Sequence, residues 1–135
     1  MLLTIERVII LKSLNIFSKI SENDLLSVAT QLTEIEYVKD STIIKQGELG
    51  TSMYIIVRGK VDVIIDGNIV TTLGKESIFG ELAALDPEPR SATIKTTEDT
   101  LVFKINSTVI YNLIGEYPNV ARGIIEILCA RIREK

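Results

Sequence analysis

Histidine is absent from this 135-residue chain, and cysteine occurs once, at Cys129. The first absence removes the commonest general base and the commonest metal ligand together. The second excludes an intrachain disulfide and a thiolate metal cluster. Ser-His-Asp and Cys-His nucleophile sets are excluded with them. Cys129 itself lies in an apolar, helical-looking stretch and reads as core packing. A strong excess of either charge is missing too: 15 Lys and Arg stand against 18 Asp and Glu, a net charge of −3. So even a balance gives no broad electrostatic footprint for nucleic acid, although it leaves room for a local cationic site for a small anion. With no metal set and no nucleophile–base pair, the composition points to a binding module rather than an enzyme.

Long hydrophobic runs are also missing. Leu2 to Leu11 is the richest apolar stretch near the start, but Glu6 and Arg7 interrupt it and Lys12 closes it. It falls far short of the roughly 20 residues a membrane span needs. It also lacks the basic start and small-residue cleavage site of a signal peptide. These features lead to the expectation of a cytoplasmic protein without direct membrane insertion. Leu2, Ile5, Ile9 and Lys12 recur at helical spacing, with Ile10 and Leu11 widening the apolar face. The segment is therefore expected to form an amphipathic helix docked on the domain or on a neighbour.

With 46% hydrophobic and 24% charged residues, the chain has ordinary globular composition and the length of one domain. Three regions follow one another across residues 1–135. Residues 1 to about 33 read as helical. Ser21 followed by Asp24 is a capping-box-like start, after which Leu25, Leu26, Val28, Ala29 and Leu32 fall on one side. Leu14 to Ile20, between the two helices, reads as a turn or broken helix with Phe17 buried.

Residues 34–105 read as short strands: Ile35–Val38, Ser41–Lys45, Met53–Arg58, Lys60–Ile65, Ile69–Leu73, Ala92–Thr96 and Thr100–Ile105. Val61, Val63 and Ile65 share one face. Gly67-Asn68 reads as the tight turn of a hairpin, because such turns favour residues that tolerate positive φ. Many short strands punctuated by Gly47, Gly50, Gly59, Gly67 and Gly74 predict an antiparallel barrel or jelly roll. Residues 106–135 return to helix. Asn106 or Ser107 caps a first helix running to about Gly115, and Pro118 opens a second. Val120, Ile124, Ile127 or Leu128, and Cys129 or Ile132 form the stripe of that second helix; Arg122, Arg131, Arg133 and Lys135 are its basic residues. The fold class expected is α+β: an antiparallel β-roll preceded by N-terminal helices and followed by two C-terminal helices.

One stretch breaks the strand pattern: Phe79-Gly80-Glu81-Leu82-Ala83-Ala84-Leu85-Asp86-Pro87-Glu88-Pro89-Arg90-Ser91-Ala92-Thr93. Glu81 to Leu85 is strong helix-former sequence set between β regions. A helical turn placed there leaves its first amides unpaired and forms an anion site. Gly80 allows close backbone approach. Arg90 supplies a fork matched to phosphate oxygens. Glu81 supplies acceptors suited to sugar hydroxyls, and Val63, Thr71 and Leu73 offer an apolar wall for a flat base.

These residues resemble the cyclic nucleotide-binding domain family over most of the chain, from about Leu14 to Lys135. Phe-Gly-Glu-Leu-Ala at 79–83 and Pro-Arg-Ser-Ala-Thr at 89–93 stand nine positions apart from Glu81 to Arg90, as in the family's phosphate-binding cassette. Upstream, the segment from Gly47 to Val63 looks like its glycine-bracketed strand pair. The resemblance implies that Arg90 pairs with the cyclic phosphate and Glu81 accepts the ribose 2′-hydroxyl. It implies further that the Leu82 and Ala83 amides bond ligand oxygens, Gly80 gives close approach and Ser91 bonds phosphate or base. Val63, Thr71 and Leu73 would line the base pocket, and Arg131 falls where some members place a base-capping arginine.

Blander readings stand beside these. Glu81 and Arg90 could form a structural ion pair, Ser91 could be a plain turn residue, Thr71 and Leu73 pure core, and Arg131 a solvated helix charge. The function expected is a non-catalytic regulatory domain that binds cAMP in preference to cGMP. It would transmit binding through its C-terminal helices to an effector domain in the same or another chain, without resident cofactor or metal. The alternative is a degenerate scaffold that keeps the fold for protein–protein contact. A sensor cut from a transcription regulator is a third reading. Without a following DNA-binding segment, no nucleic-acid partner is expected; a homodimer is compatible with the last helix.

Overall fold

The structure, a computed structural model, describes residues 1–134; Lys135, counted above among the basic residues of the last helix, lies outside the described residues. The chain divides into two compact units. One comprises residues 33–107, and the other residues 1–32 together with those from 108 onward.

The first unit is an antiparallel roll. Its first four-stranded sheet runs β1 (Thr33–Tyr37), β10 (Thr100–Asn106), β4 (Ser52–Arg58), β7 (Ile78–Phe79). The second runs β2 (Thr42–Ile44), β9 (Thr93–Thr96), β5 (Val61–Ile65), β6 (Asn68–Leu73). Two further strands, β3 (Leu49–Gly50) and β8 (Glu88–Pro89), pair only with each other. The β-prone runs seen in the sequence all become strands; most have a face to bury, whereas β6 is exposed along its length except at half-buried Leu73. Tyr54, Ile56, Phe79 and Val102 of the first sheet meet Ile44, Val61 and Ile94 of the second in one buried cluster, with Val63 and Leu73 packed at its margin. Tyr54 and Phe79, opposite each other in the ladder, stack with ring centroids 5.1 Å apart. In β4 the unbroken apolar run Met53–Val57 is buried throughout, as a strand with no alternation requires.

The hairpin between β5 and β6 turns one residue earlier than expected. Asp66 (φ 52) and Gly67 (φ 81) occupy the turn, and the ladder resumes at Ile65↔Asn68. A two-residue turn of this hand needs positive φ at both positions, and aspartate tolerates it. Gln46 holds the turn from outside: its Nε2 donates to Asp66 Oδ1 at 3.0 Å and its Oε1 accepts from Asp66 N at 3.0 Å.

In the helical unit, α1 (Thr4–Lys12) is followed by a string of tight turns and by α2 (Glu22–Ala29). In those turns Leu14, Phe17 and Ile20 each donate a backbone hydrogen bond three residues back, and Phe17 is fully buried. Ser21 accepts from the Asp24 amide at 3.2 Å, capping α2 as its sequence predicts. Leu25, Val28, Ala29 and Leu32 are buried, whereas Leu26 faces out. The face of α1 differs from expectation as well. Val8 and Leu11 are buried, while Ile5 and Ile9 are 58% and 65% exposed. Apolar residues crowd α1 on every side, so spacing alone does not select a face; its polar side chains do. Arg7 Nη1 donates to Ala29 O at 3.0 Å and Lys12 Nζ to Ile20 O at 2.7 Å, so both long side chains lie toward α2. After the roll come α4 (Ser107–Glu116) and α5 (Pro118–Arg133), the latter with proline in its first turn. Val120, Gly123 and Ile124 form the buried line of α5, with Ile127, Leu128 and Cys129 half-buried and Ile132 exposed.

Candidate functional site

The site is built where the chain leaves the first sheet. The two-residue strand β7 delivers Gly80, whose φ of +79 and ψ of 8 turn the backbone into the short helix α3 (Glu81–Leu85). A side chain here would be strained by that conformation, and a Cβ would lie 2.8 Å from Arg90 Nη1 and 3.0 Å from Ser52 O. The first intrahelical bond of α3 runs from Ala84 N to Gly80 O at 3.3 Å. The Leu82 and Ala83 amides therefore precede it, in the position where helix N–H groups have no carbonyl within their own helix. Ala83 and Ala84 are buried and Leu82 is half exposed, at 51%.

Beyond α3 the chain turns through Asp86 and Pro87 and pairs β8 with β3, Leu49 opposite Pro89 and Gly50 opposite Glu88. This pairing fixes Arg90. Its amide donates to Glu48 O at 2.8 Å, and its carbonyl accepts from Gly47 N at 2.9 Å. Its side chain then crosses Gly50 and donates from Nη1 to Gly80 O at 3.1 Å and from Nη2 to Ser52 O at 2.8 Å. A cation bonded to two carbonyls is held in one rotamer by charge-assisted contacts, each contributing about 1.5–3 kcal/mol. Partial burial pulls the Arg90 pKa below the usual guanidinium range, and the nearby Tyr54 and Glu81 oppose that fall. The guanidinium keeps its charge at neutral pH.

Glu81, the first residue of α3, is 1% exposed, and both carboxylate oxygens are sealed from solvent. Its charge acts on Arg90. A carboxylate and a guanidinium thus face a glycine-lined backbone in one corner of the roll. Ser91 follows Arg90 on the surface. Thr93, at the start of β9, accepts a hydrogen bond from Gln46 N at 3.0 Å, which secures the same arm a second time.

The residues singled out in the sequence fall into three groups. Gly80, Glu81, Leu82, Ala83 and Arg90 come together around the Arg90–Gly80 hydrogen bond. Val63, Thr71 and Leu73 lie together on the β5–β6 ladder, Val63 directly opposite Thr71 and Leu73 opposite Val61. Val63 and Leu73 are half-buried and Thr71 is exposed. Ile44 links these two groups: its side chain approaches the position of a Gly80 Cβ to 3.5 Å and belongs to the cluster against which Val63 and Leu73 pack. Arg131 is half-buried on α5, in the helical unit. Sequence reasoning missed Ser52, whose carbonyl anchors Arg90, and the reason residue 50 is glycine. The only signal for either was position within the glycine-bracketed block. Among the described residues no group of acidic, Cys or His side chains is arranged to hold a metal ion, and no described helix is long and apolar enough to cross a membrane.

The chain belongs to the cyclic nucleotide-binding domain family, whose model matches residues 34–117. It is 27% identical over 129 residues to a CRP-like cAMP-activated global transcriptional regulator of Mycobacterium tuberculosis, a match covering 92% of this chain and 58% of that protein. It is 36% identical over 91 residues to a cAMP-dependent protein kinase regulatory subunit of Mucor circinelloides, covering 67% of this chain and 21% of that one. Among solved structures, the Thermus thermophilus catabolite activator protein superposes with a TM-score of 0.82 at 27% identity, covering 89% of this chain and 59% of the other. The chain therefore spans at most about three fifths of these relatives' length.

Proposed function

We propose that this chain is a non-catalytic sensor of a cyclic nucleotide, with cAMP favoured over cGMP. The observation that carries the reading is the Arg90 guanidinium, held by Ser52 O and Gly80 O over a residue with no side chain and beside the first turn of α3. A fork of N–H donors next to helix-start amides suits the exocyclic oxygens of a cyclic phosphodiester. In this reading Arg90 pairs with the phosphate and the Leu82 and Ala83 amides bond its oxygens. Gly80 admits the ring closely, Glu81 accepts the ribose hydroxyl, and Ser91 adds a hydroxyl to phosphate or base. Val63, Thr71 and Leu73 form the wall against which the base lies. The preference for cAMP rests on the two curated relatives, whose names carry that ligand.

Residues 1–135 act as one module in this proposal. Ligand binding biases the position of α4 and α5, and that bias is passed to an effector domain in the same or another chain, in the cytoplasm. Such a shift requires the ligand to bind one helix arrangement better than the other. Calorimetric titration tests the site. The parent chain binds cAMP more tightly than cGMP, and Arg90→Ala loses on the order of 2–5 kcal/mol of binding. Equal binding by the two proteins would remove the assignment. A melting temperature that fails to rise with either nucleotide at millimolar concentration would favour a scaffold with the same fold.

A further inference from the structure

Ser52, Tyr54 and Ile56 alternate along β4 and so share one face of the strand, the face that Tyr54 and Ile56 bury against the second sheet. Ser52, at one end of that row, holds the guanidinium: its carbonyl accepts from Arg90 Nη2 at 2.8 Å, and its hydroxyl stands 3.5 Å from the same nitrogen. Tyr54 is the next side chain on that face, about 7 Å along the strand. Across the ladder it lies opposite Phe79, the residue before Gly80, and the two rings stack 11° from parallel. Tyr54 also acts electrostatically on Arg90.

Tyr54 is 6% exposed, and the cluster that buries it is otherwise apolar: Ile44, Ile56, Val61, Phe79, Ile94 and Val102. Its hydroxyl has no hydrogen-bond partner among the described residues, and the oxygen is not one of those sealed from solvent. The roll's other tyrosine, Tyr37, packs against the same cluster, but the two hydroxyls are not bonded to each other. Buried hydroxyls are normally paired. Packing does not account for this oxygen, since phenylalanine would fill the same space and keep the stack. An unused donor therefore lies one strand step from the anchor of a fixed cation.

Resting on the cyclic-nucleotide reading of the site, we propose that Tyr54 is a further ligand-contacting residue, its hydroxyl donating a hydrogen bond to an exocyclic oxygen of the cyclic phosphate. An O–H donor suits an anionic oxygen and adds no second charge to the pocket. Arg90 grips the phosphate from the β3–β8 arm, and Tyr54 reaches it from the sheet. Because Met53–Val57 is buried throughout, the second donor is held by the rigid part of the roll.

Calorimetric titration of cAMP into the parent, Tyr54→Phe and Arg90→Ala tests the assignment. Tyr54→Phe removes one oxygen and keeps the stack. Without nucleotide its melting temperature matches the parent's, whereas its dissociation constant for cAMP rises about tenfold or more. Two diastereomeric phosphorothioate analogues of cAMP, each with sulfur in place of one exocyclic oxygen, locate the bond. The loss caused by Tyr54→Phe shrinks for the diastereomer whose sulfur takes the bonded position and persists for the other. Unchanged cAMP affinity in Tyr54→Phe overturns the assignment, and weak binding by Arg90→Ala in the same series shows that the site reading stands without it. An equal loss for both diastereomers overturns it too, as does a lower melting temperature of Tyr54→Phe without nucleotide, which would put the hydroxyl to work in the free fold. A parent that binds neither cAMP nor cGMP removes the site reading and the Tyr54 contact together.

Discussion

The Arg90 side chain occupies the space that a side chain on Gly50 would need. A Cβ built on Gly50 would fall 2.6 Å from Arg90 Cδ and overlap Nε and Cζ. The φ of Gly50 is not positive, so glycine is required there for room and not for backbone freedom. The strand pair β3–β8 therefore shapes a slot for one cation.

Gly50→Ala is expected to displace that cation while leaving the fold intact. The side chain that must yield is movable but gives up its bonds to Gly80 O and Ser52 O, so the substitution costs stability about 3 kcal/mol or more. Nucleotide affinity, measured by calorimetry, falls toward that of Arg90→Ala, a loss on the order of 2–5 kcal/mol. Unchanged affinity in Gly50→Ala would show that the guanidinium position does not matter.

Thr96 is buried and its hydroxyl serves two groups, donating to Val38 O at 2.8 Å and accepting from Ser41 N at 2.8 Å. Thr96→Val keeps the volume and orphans the Ser41 amide, while Val38 O keeps the Ser41 hydroxyl at 2.6 Å; the loss should cost about 1–3 kcal/mol in urea denaturation. Thr96→Ser keeps the hydroxyl and loses only a methyl group, so it should cost about 1 kcal/mol.

Gly123 lies inside α5, where alanine would ordinarily gain about 1 kcal/mol of helix propensity. Here its Cβ would stand 2.6 Å from Ile16 Cα, a backbone atom that cannot rotate aside. The clash outweighs the propensity, and Gly123→Ala is expected to destabilise the chain by a net of about 1–2 kcal/mol. Denaturation midpoints check the sign; a gain would mean that the two segments separate easily.

Tyr37 is half-buried, and burial, reinforced by Tyr54, raises its phenol pKa above 10.0. The unfolded chain then releases the proton first as pH rises. The contribution is complete below about pH 10 and is lost as pH climbs through the higher folded value. Tyr37→Phe should show a shallower fall in stability than the parent between about pH 9 and about pH 11 in denaturant titrations.

The strands with a face to bury were legible from pattern, and α2 from its Ser21 cap. β3, β7 and β8 were not, because two residues carry no period; they exist through pairing with distant partners. The turn at Asp66-Gly67 was misplaced by one residue because Asp, Gly and Asn all tolerate positive φ, and only the Gln46 contact, twenty residues away, distinguishes them. The cassette from Gly80 to Arg90 was legible because its chemistry is local: a glycine, a helix start and an arginine at fixed spacing. Ser52 was not, since its part is a backbone carbonyl, and every residue has one.

Gln46 gives the roll a mechanical cross-brace. Its own amide is tied to Thr93 and its side chain to both polar groups of Asp66, while the next residue, Gly47, is bonded to the Arg90 carbonyl. The tip of the β5–β6 hairpin and the arm carrying the cation are thus fastened to the same short loop. Neither can drift while those bonds hold, so a displacement of Arg90 is felt at the far end of the hairpin without any helix taking part.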